Sequence, residues 1–186
     1  NACVLRYLQN DQTCKKGQLL LMDVGACYAN YNADLTRTIP VSGKFTRRQK
    51  QVYNAVLRVL RQSIENATIG KSVKEWQTDS HEMMTEEMLR LKLITKAQVK
   101  KQDPDQPACR KYYMHGLGHS LGLDVHDVCN GQKEFRENSV FTVEPGIYLP
   151  NEGFGIRLED DIQITKNGPV NLMSKIPIEA EEIEQI

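Results

Sequence analysis

The 186 residues carry 24 basic against 24 acidic side chains, so the formal charge is zero. That balance argues against a polybasic face for nucleic acid or an anionic membrane. The longest apolar run, Leu19 to Met22, is far too short to cross a bilayer. The length suits one domain with a substantial core.

Cysteine usage speaks to the compartment. Cys3, Cys14, Cys27, Cys109 and Cys129 form an odd set with no C-x-x-C pair. Free thiols in a reducing environment are expected, with the cytoplasm as the default location. No secretory-signal pattern opens the chain. The opening NACVLRYL has neither an initiator Met nor a polar lead-in, and reads as an element already under way in a longer protein.

In chain order, Ala2 to Leu8 is an apolar strand candidate, followed by turns at Asn10-Asp11 and Lys15-Lys16-Gly17. Leu19 to Val24 predicts the next strand, and Tyr28 to Thr38 another, with a compact reversal near Tyr28–Asn30 making them an antiparallel pair. Asp23 and Asp34 are almost symmetric about that reversal, so both carboxylates can share one face. Like charges so placed repel unless a cation lies between them, although two aspartates on a solvated hairpin face fit the pattern as well.

Helices follow. Thr46 with Gln49 is a capping-box signature ahead of Val52, Ala55, Val56, Val59, Leu60 and Ile64, one apolar face closing near Gly70. Ser72 with Glu75 repeats the signal for a second helix whose methionines (Met83, Met84, Met88) read as core fillers. Thr95 with Gln98 starts a short third one. Arg47, Arg48 and Lys50 read as a solvated helix edge, and Asp103 to Pro107 as a loop. Gly131 to Asn138 is a polar turn, and Val140 to Val143 a strand ending at Glu144-Pro145-Gly146. Gly155 to Thr165 predicts a last strand. Ile156, Leu158, Ile162 and Ile164 lie on one face, and Arg157 and Glu159 on the other, as ligands or as a surface salt bridge. The acidic tail from Ile178 reads as peripheral.

The stretch YMHGLGHSLGLDVHD, Tyr113 to Asp127, holds three of the four histidines. Gly116, Gly118 and Gly122 lie among them, where a missing Cβ allows close approach of backbone or ligand. His115, His119 and His126 are either satisfied core groups or a site wall. With Asp23, Asp34, Glu144 and Glu159 ending strands, His119 completes a set of four carboxylates and one imidazole. Oxygen-preferring divalent metals favour such a set. More carboxylates than one ion needs suggests two ions, able to activate a shared water and polarise a carbonyl for hydrolysis. His115 and His126 then handle protons or support ligands, and Arg157 anchors a carboxylate or carbonyl.

MDVGACYANYNADLTRT, HGLGHSLGLDVHD, VFTVEPGIY and GIRLEDD, in that order, closely resemble the catalytic domain of the aminopeptidase P family of pita-bread dinuclear metallopeptidases. The resemblance covers the chain from Asn1 to about Thr165. It implies an α+β pita-bread fold, a curved antiparallel sheet flanked by helices, with its first part and an N-terminal domain lying outside residues 1–186. By resemblance, Asp23, Asp34, His119, Glu144 and Glu159 bind two divalent ions, Asp34 and Glu159 bridging. Mn²⁺ is implied first, with Co²⁺ or Zn²⁺ acceptable. His115, His126, Arg157 and Glu144 match substrate, transition-state and proton-transfer positions. The implied activity is removal of an N-terminal residue preceding proline, by a hydroxide held between the metals. Prolidase action on dipeptides is the enzymatic alternative and a non-catalytic binding module the other. The implied partners are peptides with proline second, without nucleic acid or membrane, and with a homo-oligomer left open. Arg6 stands where the family usually has histidine, in Leu5-Arg6-Tyr7, and a permanently charged guanidinium cannot shuttle a proton.

Overall fold

The structure is a computed structural model that describes residue 3, residues 11–128 and residues 133–186. The candidate strand at 2–8 lies outside the described residues apart from Cys3, and so do Arg6 and Cys129.

Strand β1 (Leu19–Val24) pairs antiparallel with β4 (Leu35–Pro40), Asp23 facing Thr36. Between them lies a small hairpin of β2 (Cys27–Tyr28) and β3 (Tyr31–Asn32), turned by Ala29 and Asn30 at φ 49 and 63. The reversal therefore falls where expected, but the single strand expected over Tyr28 to Thr38 is broken at Ala33-Asp34. The Ala33 N–H bonds to Ala26 O at 2.8 Å, and Gly25 permits the crossing, since a Cβ there would lie 2.0 Å from Ala33 O. This kink turns Asp34 out of the ladder.

Helices α1 (Arg47–Glu65) and α2 (Val73–Arg90) pack across an apolar seam containing Val52, Val56, Leu60, Trp76, Met84 and Met88. Thr46 and Gln49 form the expected reciprocal cap. The first helix ends at Glu65 rather than near Gly70, which instead takes φ +82 in the turn toward Ser72, the cap of α2. The Trp76 indole N–H donates to Ser63 O at 2.8 Å and ties the helices together. The short α3 (Lys96–Lys100) starts at Thr95 as expected.

Strand β5 (Val140–Val143) is flanked by Phe135, which is buried edge-on against Trp76 and Phe141, so the expected polar turn carries a core anchor. Strand β6 (Gly146–Leu149) pairs with β7 (Phe154–Arg157), while β8 (Asp160–Thr165) lies between β5 and β9 (Gly168–Asn171). The expected single strand Gly155 to Thr165 is thus two, separated at Leu158-Glu159, and β9 was not foreseen. Nor is one of its faces solvated: Arg157, Glu159, Asp160 and Asp161 are as buried as Ile156 and Ile162. The tail is not peripheral either. Ala180 and Ile183 of α4 (Ala180–Ile183) are buried, and the Tyr53 hydroxyl donates to Ile178 O at 2.8 Å. Arg48 and Lys50 are not merely solvated, since they pair with Glu152 and with Glu181 and Glu184. No helix among the described residues is long and apolar enough to cross a membrane.

Candidate metal centre

Backbone contacts between sheets bring the acidic groups together. The Asp34 N–H donates to Asp161 Oδ2 at 3.0 Å. Glu159 occupies the break between β7 and β8. Its N–H donates to Thr36 O at 3.1 Å, and its carboxylate accepts the Thr36 hydroxyl at 2.6 Å. The Glu144 N–H donates to Leu117 O at 2.7 Å, just past the end of β5. Residues 117–121 run antiparallel beside β5, with Thr142 N donating to His119 O at 2.9 Å and Leu121 N to Val140 O at 3.1 Å. Gly118 makes that approach possible, because a Cβ would stand 1.9 Å from Thr142 O. His119 therefore projects from a segment clamped to the strand that ends in Glu144.

The tautomer of His119 follows from its neighbours. Nδ1 lies 3.0 Å from Ser120 O, and a carbonyl can only accept, so Nδ1 carries the hydrogen. Nε2 then faces Asp34 Oδ2 at 3.8 Å and Glu144 Oε1 at 3.5 Å. Asp34, His119 and Glu159 offer donor atoms all within 4.8 Å of one another. An imidazole nitrogen crowded among carboxyl oxygens in this way is a donor set that a cation would satisfy.

The carboxyl groups feel that crowding. Burial, then the neighbouring Asp23, raises Asp34 to about 6. Burial outweighs the opposing pull of Arg157 and raises Glu144 to about 7. Glu159 rises to about 9 through burial and the charges of Glu144 and Asp34. Asp23 is half exposed and is held by the Arg157 guanidinium. One nitrogen and several oxygens are the donor set of a divalent ion, and they fit one here.

A second chain of contacts borders the cluster. His115 Nδ1 lies 2.8 Å from Gly116 O and so carries the hydrogen, leaving Nε2 to accept the Tyr148 hydroxyl at 2.8 Å. Tyr148 in turn accepts from Arg157 Nη1 at 3.1 Å, and Arg157 Nη2 donates to Asp23. Burial lowers His115 to about 4, which keeps it neutral. His115 is therefore not among the carboxylates but one tyrosine away from their arginine. His126, on the exposed side, stacks on His119 at 3.8 Å between centroids and 16° between planes.

Sequence reasoning overlooked four groups that hold this arrangement. Thr36 bridges Glu159 and Arg157, and Tyr148 links His115 to Arg157. Arg37 donates to Glu159 O at 2.7 Å and Asp160 Oδ1 at 2.7 Å. Asp161 receives Asp34 N–H, while its Oδ1 is buried without a hydrogen-bond partner among the described residues. A signal existed: Arg37, Asp160 and Asp161 are charges inside strands, where an unpaired buried charge is costly.

Residues 1–166 match the family model of metallopeptidase family M24. The chain belongs to this family. It is 39% identical to the Xaa-Pro aminopeptidase of Haemophilus influenzae and 40% identical to that of Escherichia coli, covering all of this chain and 46% and 44% of those proteins. Zinc-substituted Escherichia coli aminopeptidase P in complex with product superposes with a TM-score of 0.88 at 38% identity, over all of this chain and 44% of that one. The same enzyme with the inhibitor Pro-Leu gives the same values. The expected α+β pita-bread fold is the fold this M24 chain adopts. It spans less than half the length of the curated relatives it matches.

Proposed function

We propose that this M24 chain carries the metal centre of an aminopeptidase that cleaves an N-terminal residue from a following proline. The observation that carries the reading is the convergence of Asp34, His119 and Glu159, with His119 Nε2 turned toward carboxylate oxygens. We assign Asp34, His119, Glu144 and Glu159 as metal ligands, with Asp23 completing the set from the exposed side. Two divalent ions would lower the pKa of a shared water and polarise the scissile carbonyl. The oxygen-rich donors favour Mn²⁺, and Co²⁺ or Zn²⁺ would also fit.

The protein's own groups do the rest. Glu144 would accept a proton at its carboxylate and return it to the leaving proline nitrogen. Arg157, kept cationic and oriented by Thr36, Tyr148 and Asp23, anchors the substrate end of the cluster. His126 and His115 stabilise the developing oxyanion. His115 does so only once its Nε2 carries the hydrogen and turns from Tyr148 to the substrate.

Metal analysis of the purified protein, with cleavage of Xaa-Pro-Xaa peptides and Xaa-Pro dipeptides, tests the reading. Two bound divalent ions and preference for the longer peptides are expected. Preference for dipeptides would make it a prolidase, and metal-loaded protein that leaves every Xaa-Pro bond intact would overturn the peptidase assignment. Arg6, the one residue that favours a non-catalytic module, lies outside the described residues.

A further inference from the structure

The histidine segment is braced from an element remote from the ligands. Leu117 is fully buried, so its N–H needs a partner within the protein. The group that satisfies it is the side-chain carbonyl of Gln77, on α2, which accepts the Leu117 N–H at 2.5 Å. Gln77 Oε1 also lies beside Gly116, 3.4 Å from where a Cβ would stand. The same residue has a second task, because Leu117 O receives the Glu144 N–H at 2.7 Å. One glutamine thus grips the backbone midway between His115 and His119 and, through a single residue, the backbone of Glu144.

Its orientation is settled by hydrogen-bond chemistry. The Leu117 N–H only donates, so Oε1 faces it and the amide NH₂ points the other way. There Nε2 meets Ser80 Oγ at 3.2 Å and His81 Nε2 at 3.2 Å. Two donors cannot face each other, so His81 Nε2 accepts. Burial and the charge of Arg110 lower His81, which suits that role, and the Tyr113 ring closes its other side at 5.7 Å.

We propose that Gln77 is a positioning residue of the metal centre, its Oε1 holding the Leu117 peptide so that His119 and Glu144 keep their spacing. The inference rests on the metal-centre reading above. Groups that orient metal ligands typically change affinity or activity by about 10–100-fold when lost.

The test uses the full-length protein, with Mn²⁺ alone as the probe. Gln77→Met keeps the shape without the acceptor, and Gln77→Glu keeps the acceptor. Gln77→Met should weaken Mn²⁺ binding by about 10–100-fold and speed hydrogen exchange at the Leu117 amide. Gln77→Glu should leave both nearly unchanged, while its carboxylate raises the His81 titration midpoint by about one unit or more, a shift that mere packing would not cause. If Gln77→Met does not fold, Gln77→Leu, which also lacks the acceptor, is read the same way against Gln77→Glu. Unchanged Leu117 exchange in a folded Gln77→Met, or equal loss of Mn²⁺ binding in both variants, would overturn the role. Wild-type protein that binds no Mn²⁺ would instead defeat the metal-centre reading, and Leu117 exchange would still report on the Gln77 bond.

Discussion

The helical seam and the sheet seam are both buried, yet they are built from opposite materials. Between α1 and α2 the interior is Val52, Val56, Leu60, Trp76, Met84 and Met88, with no exposure above 1%. Where β4 meets β7 and β8 the interior is Asp34, Arg37, Arg157, Glu159, Asp160 and Asp161, none exposed by more than 9%. The first region is stabilised by removing apolar area from water and needs nothing further. The second pairs some charges internally, Arg37 with Asp160 at 2.7 Å, and leaves the others facing one another. Surplus like charge in a buried seam is tolerated where a ligand of opposite sign completes it. The cost falls on the candidate metal centre.

The sharpest way to break that contrast is at Arg37. Arg37→Met leaves Asp160 buried without its partner, and denaturant unfolding should show a loss of roughly 3–5 kcal/mol. A loss below ~1 kcal/mol would mean the sheet seam does not depend on internal pairing. On the helical side, Leu60→Ala should cost about 2–5 kcal/mol by cavity formation. Unlike changes in the other seam, this loss should be the same with chelator or with metal. A metal-dependent loss would show that the two regions are not separable.

Metal and pH sharpen the comparison further. Asp34, Glu144 and Glu159 sit at about 6, 7 and 9 in the folded chain, against ordinary values of 3.8, 4.5 and 4.5. Folding therefore favours their protonated forms. Their contribution is fully present below about pH 4 and is lost as pH rises through 6 to 9. His115 acts in the opposite sense: its folded value of about 4 lies below the ordinary 6.5, so its stability cost develops as pH falls from 6.5 to 4. Above pH 6.5 it drops out. Chelated protein should accordingly lose thermal stability between pH 6.5 and 9. Mn²⁺ at a hundredfold excess over its Kd should restore about 2.7 kcal/mol. A chelated protein whose Tm is flat over that range would show that the carboxylates do not crowd one another. The smallest effect expected is at Thr46→Ala, about 1 kcal/mol from the lost cap of α1, indifferent to metal. Differential scanning calorimetry with and without chelator reads it.

Local rules made much of the chain legible. The capping pairs Thr46/Gln49 and Thr95/Gln98 and the cap Ser72 marked three helix starts, because a cap satisfies backbone N–H groups within its own turn. The bounds of β1 and β5 were legible from short apolar runs ended by an acid. The ligand candidates stood out as acids at strand ends beside a histidine- and glycine-rich stretch. Their family followed from four ordered motifs. Illegible were the break at Leu158-Glu159, the strand β9, the buried tail and the bracing groups Thr36, Arg37, Gln77, Tyr148 and Asp161.

The division has a physical basis. Caps, turns and apolar periodicity act over a few residues, so the order of residues alone determined them. Which buried charge meets which partner is decided by contacts across more than a hundred positions, such as Thr36 with Glu159 and Arg157 with Asp23. No local pattern encodes that choice. Only the packing of one sheet edge on another turned scattered acids into a place where a cation is wanted.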